Sequence, residues 1–356
     1  MIFRSAGVPP SIAMLALWLV MWSSCVMAFE RNWALYPLVV QIDTDQTQTV
    51  VYAVGDAHGD PDRLAAALVA AGVMPAVPAS FDQSRWSAGK AILVVTGDMI
   101  DKWHNSLGVI TLLRTLQRAA TTAGGRVVVI LGNHEAEFLA NPNDKKTQEF
   151  AQELRKAGLD PTEVGACKGE IGQFLCNLPA AARINDWFFS HAGNTAGRSI
   201  AQIENDIRIG LKENGFGTDQ LVGSNSILEA RLNNKGPAKL AWFMGGNTQS
   251  KPDESLLQNV KALGVNHLVQ GHQNGNVKFP DGVKRKAFDF FQRYGLLFLI
   301  DSGMSRGIDD SDSLGGVLKI EADKAELWCA GGDPPKTMWP IMSAEDHTSY
   351  HCGVPK

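Results

Sequence analysis

The chain has 356 residues, 45% of them hydrophobic and 20% charged, with 33 Lys+Arg against 37 Asp+Glu for a net charge of −4. That composition excludes a wholly disordered or collagen-like chain, and the length allows two domains or one large α/β domain. The slightly acidic balance supplies no field for sequence-blind nucleic-acid binding, which needs concentrated Lys and Arg, so a small molecule or a protein is the expected substrate.

Residues 1–28 carry one positive charge, Arg4, then the apolar run Ile12–Trp22 and the small-residue end Val26-Met27-Ala28. This pattern predicts a signal peptide cleaved after Ala28, and hence a periplasmic or secreted chain with no stable membrane insertion after cleavage. The alternative is an uncleaved membrane anchor, for which the apolar run is only marginally long. Residues 29–345 then form a single domain and 346–356 a loosely structured tail. Leaving out Cys25, the cysteines are Cys167, Cys176, Cys329 and Cys352. An even number in an exported chain predicts disulfides in one of three pairings. The local pairs Cys167–Cys176 and Cys329–Cys352 close the shortest loops and are expected. A zinc site is disfavoured because no pair has the tight spacing of zinc ligands, and free buried thiols are the remaining option.

Val50–Val54 reads as a buried strand that runs straight into Gly55-Asp56-Ala57-His58-Gly59-Asp60. Pro61 opens a helix with Leu64, Leu68 and Val69 on one face. Ala91–Val95 is a second strand, ending in Thr96-Gly97-Asp98-Met99-Ile100-Asp101-Lys102. Leu107, Ile110, Leu113 and Leu116 then follow helical spacing. A third strand, Arg126–Leu131, ends in Gly132-Asn133-His134-Glu135. Residues 141–182 look irregular and read as a lid-like insertion. Trp187–Ser190 is a short strand ending at His191-Ala192-Gly193, and helices are expected near 198–214 and 218–232. Asn266–Gln270 ends in Gly271-His272, Leu296–Ile300 runs into Asp301-Ser302-Gly303, and Gly316–Ile320 with Ala325–Cys329 reads as a terminal β pair. Such strand–helix alternation argues for an α/β domain with right-handed crossovers, whose ligands lie beyond the carboxyl ends of the strands.

Those strand ends offer Asp56, His58, Asp98, Asn133, His191 and His272. Mixed imidazole and oxygen ligands suit Mn²⁺, Fe or Zn²⁺ better than Mg²⁺ or Ca²⁺. Six side chains exceed what one tetrahedral catalytic ion takes and suit two divalent ions about 3.5–4 Å apart that share a carboxylate. Taken singly, each cluster could be a helix cap or a turn; five in this order, each after an apolar strand, are far more specific.

The motifs Gly55-Asp56-x-His58-Gly59, Gly97-Asp98-x-x-Asp101, Gly132-Asn133-His134-Glu135, Ser190-His191-Ala192-Gly193 and Gly271-His272 resemble the calcineurin-like metallophosphoesterase superfamily. With the run Ile300-Asp301-Ser302-Gly303-Met304-Ser305 they look most like its Shewanella-like protein phosphatase branch. The resemblance implies an αββα sandwich of two mixed β-sheets flanked by helices, with a dinuclear metal site at the strand C-terminal ends. It implies that Asp56, His58 and Asp98 hold one ion, and that Asp98 bridges to a second held by Asn133, His191 and His272.

On that chemistry a metal-bridging hydroxide attacks a phosphate monoester of a phosphorylated protein or small phosphoester. His134 is the expected general acid, oriented by Asp101. Lys102, standing where related protein phosphatases place arginine, and Asn133 are expected to contact substrate. A further arginine common in the family is missing from Leu240–Met244, and Arg306 is the candidate replacement. His104 reads as solvated. The competing functions are a phosphodiesterase or nucleotide pyrophosphatase on the same centre, and a catalytically silent metal-binding module.

Overall fold

The computed structural model describes residues 31–232, 252–341 and 346–353. The expected signal peptide at 1–28 and the Leu240–Met244 stretch lie outside those residues, as does the end of the tail, 354–356. In chain order the elements are β1 (Val39–Ile42), β2 (Val51–Val54), α1 (Pro61–Ala70), β3 (Ile92–Val95), α2 (Ser106–Thr122), β4 (Arg126–Val129) and α3 (Asn133–Ala140). There follow α4 (Gln148–Lys156), α5 (Pro161–Gly165), α6 (Gly169–Cys176), β5 (Ala181–Ile184), β6 (Trp187–Ser190), α7 (Ile200–Asn214), α8 (Asp219–Val222) and α9 (Pro252–Leu263). The last part holds β7 (His267–Gln270), β8 (Val277–Lys278), β9 (Lys284–Arg285), β10 (Asp289–Arg293), β11 (Leu297–Leu299), β12 (Gly316–Glu321), β13 (Lys324–Cys329), β14 (Lys336–Trp339) and β15 (His347–His351).

One sheet has the order β1-β5-β6-β7-β11-β10-β15 and the other β14-β13-β12-β2-β3-β4; β8 and β9 pair separately. Strands β2, β3 and β4 are parallel, as are β6 and β7. Their residues are nearly all apolar because both faces are covered. The period of two divides them between two layers. Val51, Ala53, Ile92, Val94 and Val128 meet Phe189, Val269 and Phe298 of the other sheet in one buried cluster. Tyr52, Val54, Leu93, Val95 and Phe188 instead join the cluster that takes in Leu64, Leu68, Leu112 and Leu116 of the covering helices. The result is the expected αββα sandwich of two mixed sheets flanked by helices.

Three expectations need correction. Residues 141–182 are not irregular: they hold α4, α5 and α6, and Phe150, Ala151 and Leu154 bury one face of α4. This segment is stitched to its surroundings. The Glu153 carboxylate accepts the N–H groups of Ser106 (2.8 Å) and Leu107 (2.7 Å) at the start of α2, and Cys167 is bonded to Cys176. The helix expected over 218–232 is only the single turn of α8; beyond it, backbone and hydroxyl bonds of Ser226 shape a compact turn instead. The carboxyl end is not loose. β14 pairs with β13, β15 pairs antiparallel with β10, and Cys352 is bonded to Cys329, so a polar His-Thr-Ser-Tyr-His run gains its order from a neighbouring strand and a covalent tie. Among the described residues no helix is long and apolar enough to cross a membrane.

Candidate metal centre

The ends of β2, β3 and β4 bring up Asp56, His58, Asp98, Asn133 and His134, and the ends of β6 and β7 bring His191 and His272 from the other sheet. The turns that do this are tight. His58, Asp98, Asp101, Lys102 and His272 all adopt positive φ, between 39° and 66°. Left-handed backbone at a non-glycine residue costs on the order of 1–3 kcal/mol and persists only where its surroundings impose it. At Gly97 (φ 97°) a Cβ would lie 2.6 Å from the Gly132 backbone, so only glycine lets the β3 and β4 turns approach this closely.

One buried carboxylate holds those turns. Glu135 accepts the backbone N–H groups of Asp98 (3.0 Å), Met99 (2.7 Å), Ile100 (3.2 Å) and Gly132 (2.9 Å). Burial first, and then the Asp98 charge, push the Glu135 carboxyl up to about 7. The sequence pattern contained this residue without showing its task. A Glu three positions after the Gly132 N-cap is the available signal, because a capping box places its carboxylate back over the turn.

Asp98 lies at the middle of the cluster. His58 Nε2 is 3.5 Å from its Oδ2, and His191 Nε2 is 3.3 Å from its Oδ1, which also accepts the His134 N–H at 3.1 Å. Burial alone would raise the Asp98 carboxyl, but the imidazoles of His191, His134 and His58 hold it well below the usual range. His58, Asp98 and His134 form one group whose ligand atoms lie within 4.8 Å of one another, and Asp98, His191 and His272 form a second. Asp98 is common to both, as a bridging carboxylate must be. Asp56 stands outside both groups and joins the cluster through its Oδ2, which accepts the His272 N–H at 2.9 Å.

The donor set fits divalent cations. Asp56 Oδ1 is buried with no hydrogen-bond partner. Burial, then the charges of Asp301 and Asp98, push this carboxyl well above the usual range, the mark of an acid short of nearby positive charge. Three carbonyls orient the imidazoles. His58 Nδ1 lies 3.1 Å from Ile100 O, His191 Nδ1 2.7 Å from Thr96 O, and His272 Nε2 3.2 Å from Glu229 O. A carbonyl only accepts, so each of these nitrogens donates, and a ring in its neutral form keeps its other lone pair for a ligand. Those lone-pair nitrogens, His191 Nε2 and His272 Nδ1, are 3.1 Å apart and lie 3.0 and 3.1 Å from Asn133 Oδ1. Burial pushes His58 down to about 4 and His272 well below its usual value, so both rings are neutral near pH 7.

His134 lies beside the cluster, its ring edge-on to His58 at 5.0 Å between centroids. Its Nδ1 is 3.0 Å from Asp101 Oδ2, while Asp101 Oδ1 accepts the N–H of Phe150 in α4 at 3.0 Å. Burial opposes charge on His134, yet Asp98 and Asp101 outweigh it and raise the imidazole to about 9. Lys102 and His104 are exposed on the following loop. Arg306 is placed differently from its expected role. Its Nε and Nη2 donate to both carboxylate oxygens of Asp60 (2.8 and 2.7 Å), Nη2 also donates to Asp62 (2.7 Å), and the guanidinium covers Trp103.

A family model for calcineurin-like phosphoesterases matches residues 49–275. An uncharacterised protein of Schizosaccharomyces pombe (strain 972) is 32% identical over 269 residues, 72% of this chain and 73% of that protein. Shewanella-like protein phosphatase 2 of Arabidopsis thaliana is 34% identical over 128 residues, which span 35% of this chain and 29% of the plant protein. The solved structure of a cold-active protein-tyrosine phosphatase from a psychrophilic Shewanella species has a TM-score of 0.60 at 18% identity, over 83% of this chain and 81% of that one.

Proposed function

Because the chain belongs to the calcineurin-like phosphoesterase family and is a metallophosphatase, we propose that it is an exported phosphomonoesterase acting on phosphorylated protein side chains or small phosphate monoesters. The observation that carries this reading is the His134–Asp101 pair, 3.0 Å apart, beside a cluster whose two halves share Asp98. A monoester's alkoxide leaving group needs a proton, and a raised, oriented imidazole supplies one. The names of the Arabidopsis and Shewanella proteins, a protein phosphatase and a protein-tyrosine phosphatase, favour phosphorylated side chains as the substrate.

Asp56, His58, Asp98, Asn133, His191 and His272 would hold divalent cations, which would supply water activation and offset charge on the phosphoryl oxygens; Mn²⁺, Fe and Zn²⁺ all suit this donor set. Asp101 holds His134 by Nδ1, which leaves Nε2 to give its proton to the departing oxygen. Lys102, exposed at the rim, provides a point charge for the phosphate. Export is supported by the two disulfides, which persist in oxidising compartments. The test is hydrolysis of p-nitrophenyl phosphate against its bis ester by the mature protein, with Mn²⁺, Zn²⁺ or iron supplied in turn. Turnover of the monoester is expected; activity confined to the bis ester would make the protein a phosphodiesterase.

A further inference from the structure

Outside every motif of the sequence, residues 225–232 run as a strap across the loops that carry three of the metal ligands. The Ala192 N–H, next to His191, donates to Ile227 O at 2.8 Å. The Asn194 amide donates to Asn225 O at 2.6 Å, and the Leu232 N–H donates to Gln273 Oε1, next to His272, at 2.7 Å. Ser226 holds the strap's own bend, accepting the N–H groups of Leu228 and Glu229 while donating to Leu221 O. At its centre half-buried Glu229 makes two contacts with the cluster. Its Oε1 accepts from Asn133 Nδ2 at 3.1 Å, and its backbone oxygen faces His272 Nε2 at 3.2 Å.

Both contacts decide an orientation. An amide can present either its oxygen or its NH₂ to a pair of imidazoles, because each ring nitrogen either accepts or donates. Glu229 Oε1 accepts from Asn133 Nδ2, so the Asn133 amide turns its NH₂ outward. Oδ1 is then left facing His191 Nε2 and His272 Nδ1 at 3.0 and 3.1 Å. The backbone oxygen of the same residue fixes the His272 tautomer in the sense that leaves Nδ1 bare. We infer that Glu229 is a positioning residue of the metal centre: its carboxylate locks the Asn133 oxygen, and its carbonyl the His272 lone pair, toward one cation. This inference rests on the reading of Asn133, His191 and His272 as ligands.

The experiment is Mn²⁺ titration of the metal-free protein by calorimetry, with the metal-free melting temperature recorded alongside. Glu229→Ala should weaken one of two Mn²⁺ sites about 10–100-fold, the usual effect of removing a group that orients a ligand, at an unchanged metal-free melting temperature. Glu229→Met keeps the length without the acceptor and carries the same expectation where alanine loosens the strap. Glu229→Gln retains an acceptor and should bind within about 3-fold of wild type, because the orientation rests on the hydrogen bond. In an Asn133→Ala background the loss of Glu229 should cost nothing further, since the two act as one unit. Variants matching a metal-loaded wild type, or an undiminished loss on top of Asn133→Ala, would overturn this role alone. A wild-type chain that takes up no Mn²⁺ would overturn the ligand reading and this role with it.

Discussion

Glu135 and Asp98 are joined by a hydrogen bond of 3.0 Å from the Asp98 N–H to Glu135 Oε2, and the same oxygen accepts the Gly132 N–H at 2.9 Å. A single buried carboxylate therefore ties the turn after β3 to the turn after β4. Asp98 keeps its left-handed backbone because Glu135 holds the amides on either side of it.

Glu135→Gln should accordingly unsettle the centre although no ligand is changed. The glutamine NH₂ must face backbone N–H groups, which strands two buried backbone donors at roughly 2–4 kcal/mol in all. Urea unfolding of the metal-free protein measures that loss, and metal analysis should show incomplete loading. Full stability with a filled site would mean that the four-amide clamp is dispensable.

His134→Ala should leave metal content near that of the wild type while kcat on a phosphoserine peptide, whose alkoxide leaving group needs a proton, falls about 10²–10⁴-fold, the span of a missing general acid, with a smaller loss on p-nitrophenyl phosphate, which releases a stable phenolate. Asp101→Asn keeps the bond to the Phe150 N–H but removes the charge from His134, and should cost roughly 10–10²-fold. Equal turnover by wild type and His134→Ala would remove the imidazole from the reaction.

Lys102 and Arg306 should separate by which constant they move. Arg306 is committed to Asp60, whose side chain is fully buried, so Arg306→Ala leaves that carboxylate only two backbone N–H partners and no countercharge and should lower stability by about 1–3 kcal/mol with KM little changed. Lys102→Ala should do the reverse, raising KM several-fold with no change in melting temperature. A large KM increase in the Arg306 variant would return that residue to the substrate-contact role expected from its position after β11.

The Cys329–Cys352 bond closes a loop of 23 residues by sequence separation and anchors the strand next to β10. Chain entropy alone puts its contribution at about 3 kcal/mol. Cys352→Ser should lose about that much, and hydrogen exchange should quicken first in β15. Exchange rates in β15 matching the wild type would show that pairing with β10 suffices.

His267 supplies a pH dependence away from the cluster around Asp98. Its ring stacks on Trp187 at 4.0 Å and meets Trp339 and Phe298, with Nδ1 on Gly295 O. Burial lowers its pKa below 6.5, against smaller opposing effects of the Gly295 carbonyl and the Asp186 charge. The unfolded chain then takes up this proton before the folded one. The contribution to stability is whole above pH 6.5 and declines as pH falls from there toward the lowered folded value. His267→Phe should flatten the stability curve just below about pH 6.5, read from urea midpoints at each pH. An unaltered slope would assign the acid sensitivity to other groups.

How much of this was readable beforehand follows from the range of each interaction. Apolar runs of four or five residues ending in Gly and a polar ligand are local patterns, and the strands ending at Asp56, Asp98, His191 and His272 stand where those patterns put them. The helices within 141–182 were local too, since Phe150, Ala151 and Leu154 carry the apolar spacing, but short polar-rich segments hide it. The β15 strand was not local: its five residues are ordered by β10 and a disulfide.

The amino-acid sequence by itself determined the types of the candidate ligands, their order and their place at strand ends, because hydrophobic periodicity and turn chemistry act over a few neighbouring residues. Only the tertiary structure decided which atom of each side chain faces the cluster. That choice belongs to Glu135, 37 positions from Asp98, to Glu229, 96 positions from Asn133, and to backbone carbonyls on distant loops. It likewise turned Arg306 toward Asp60, 246 positions away. Hydrogen bonds are short and directional, so which distant groups meet within 3 Å is decided when the two sheets pack and not before.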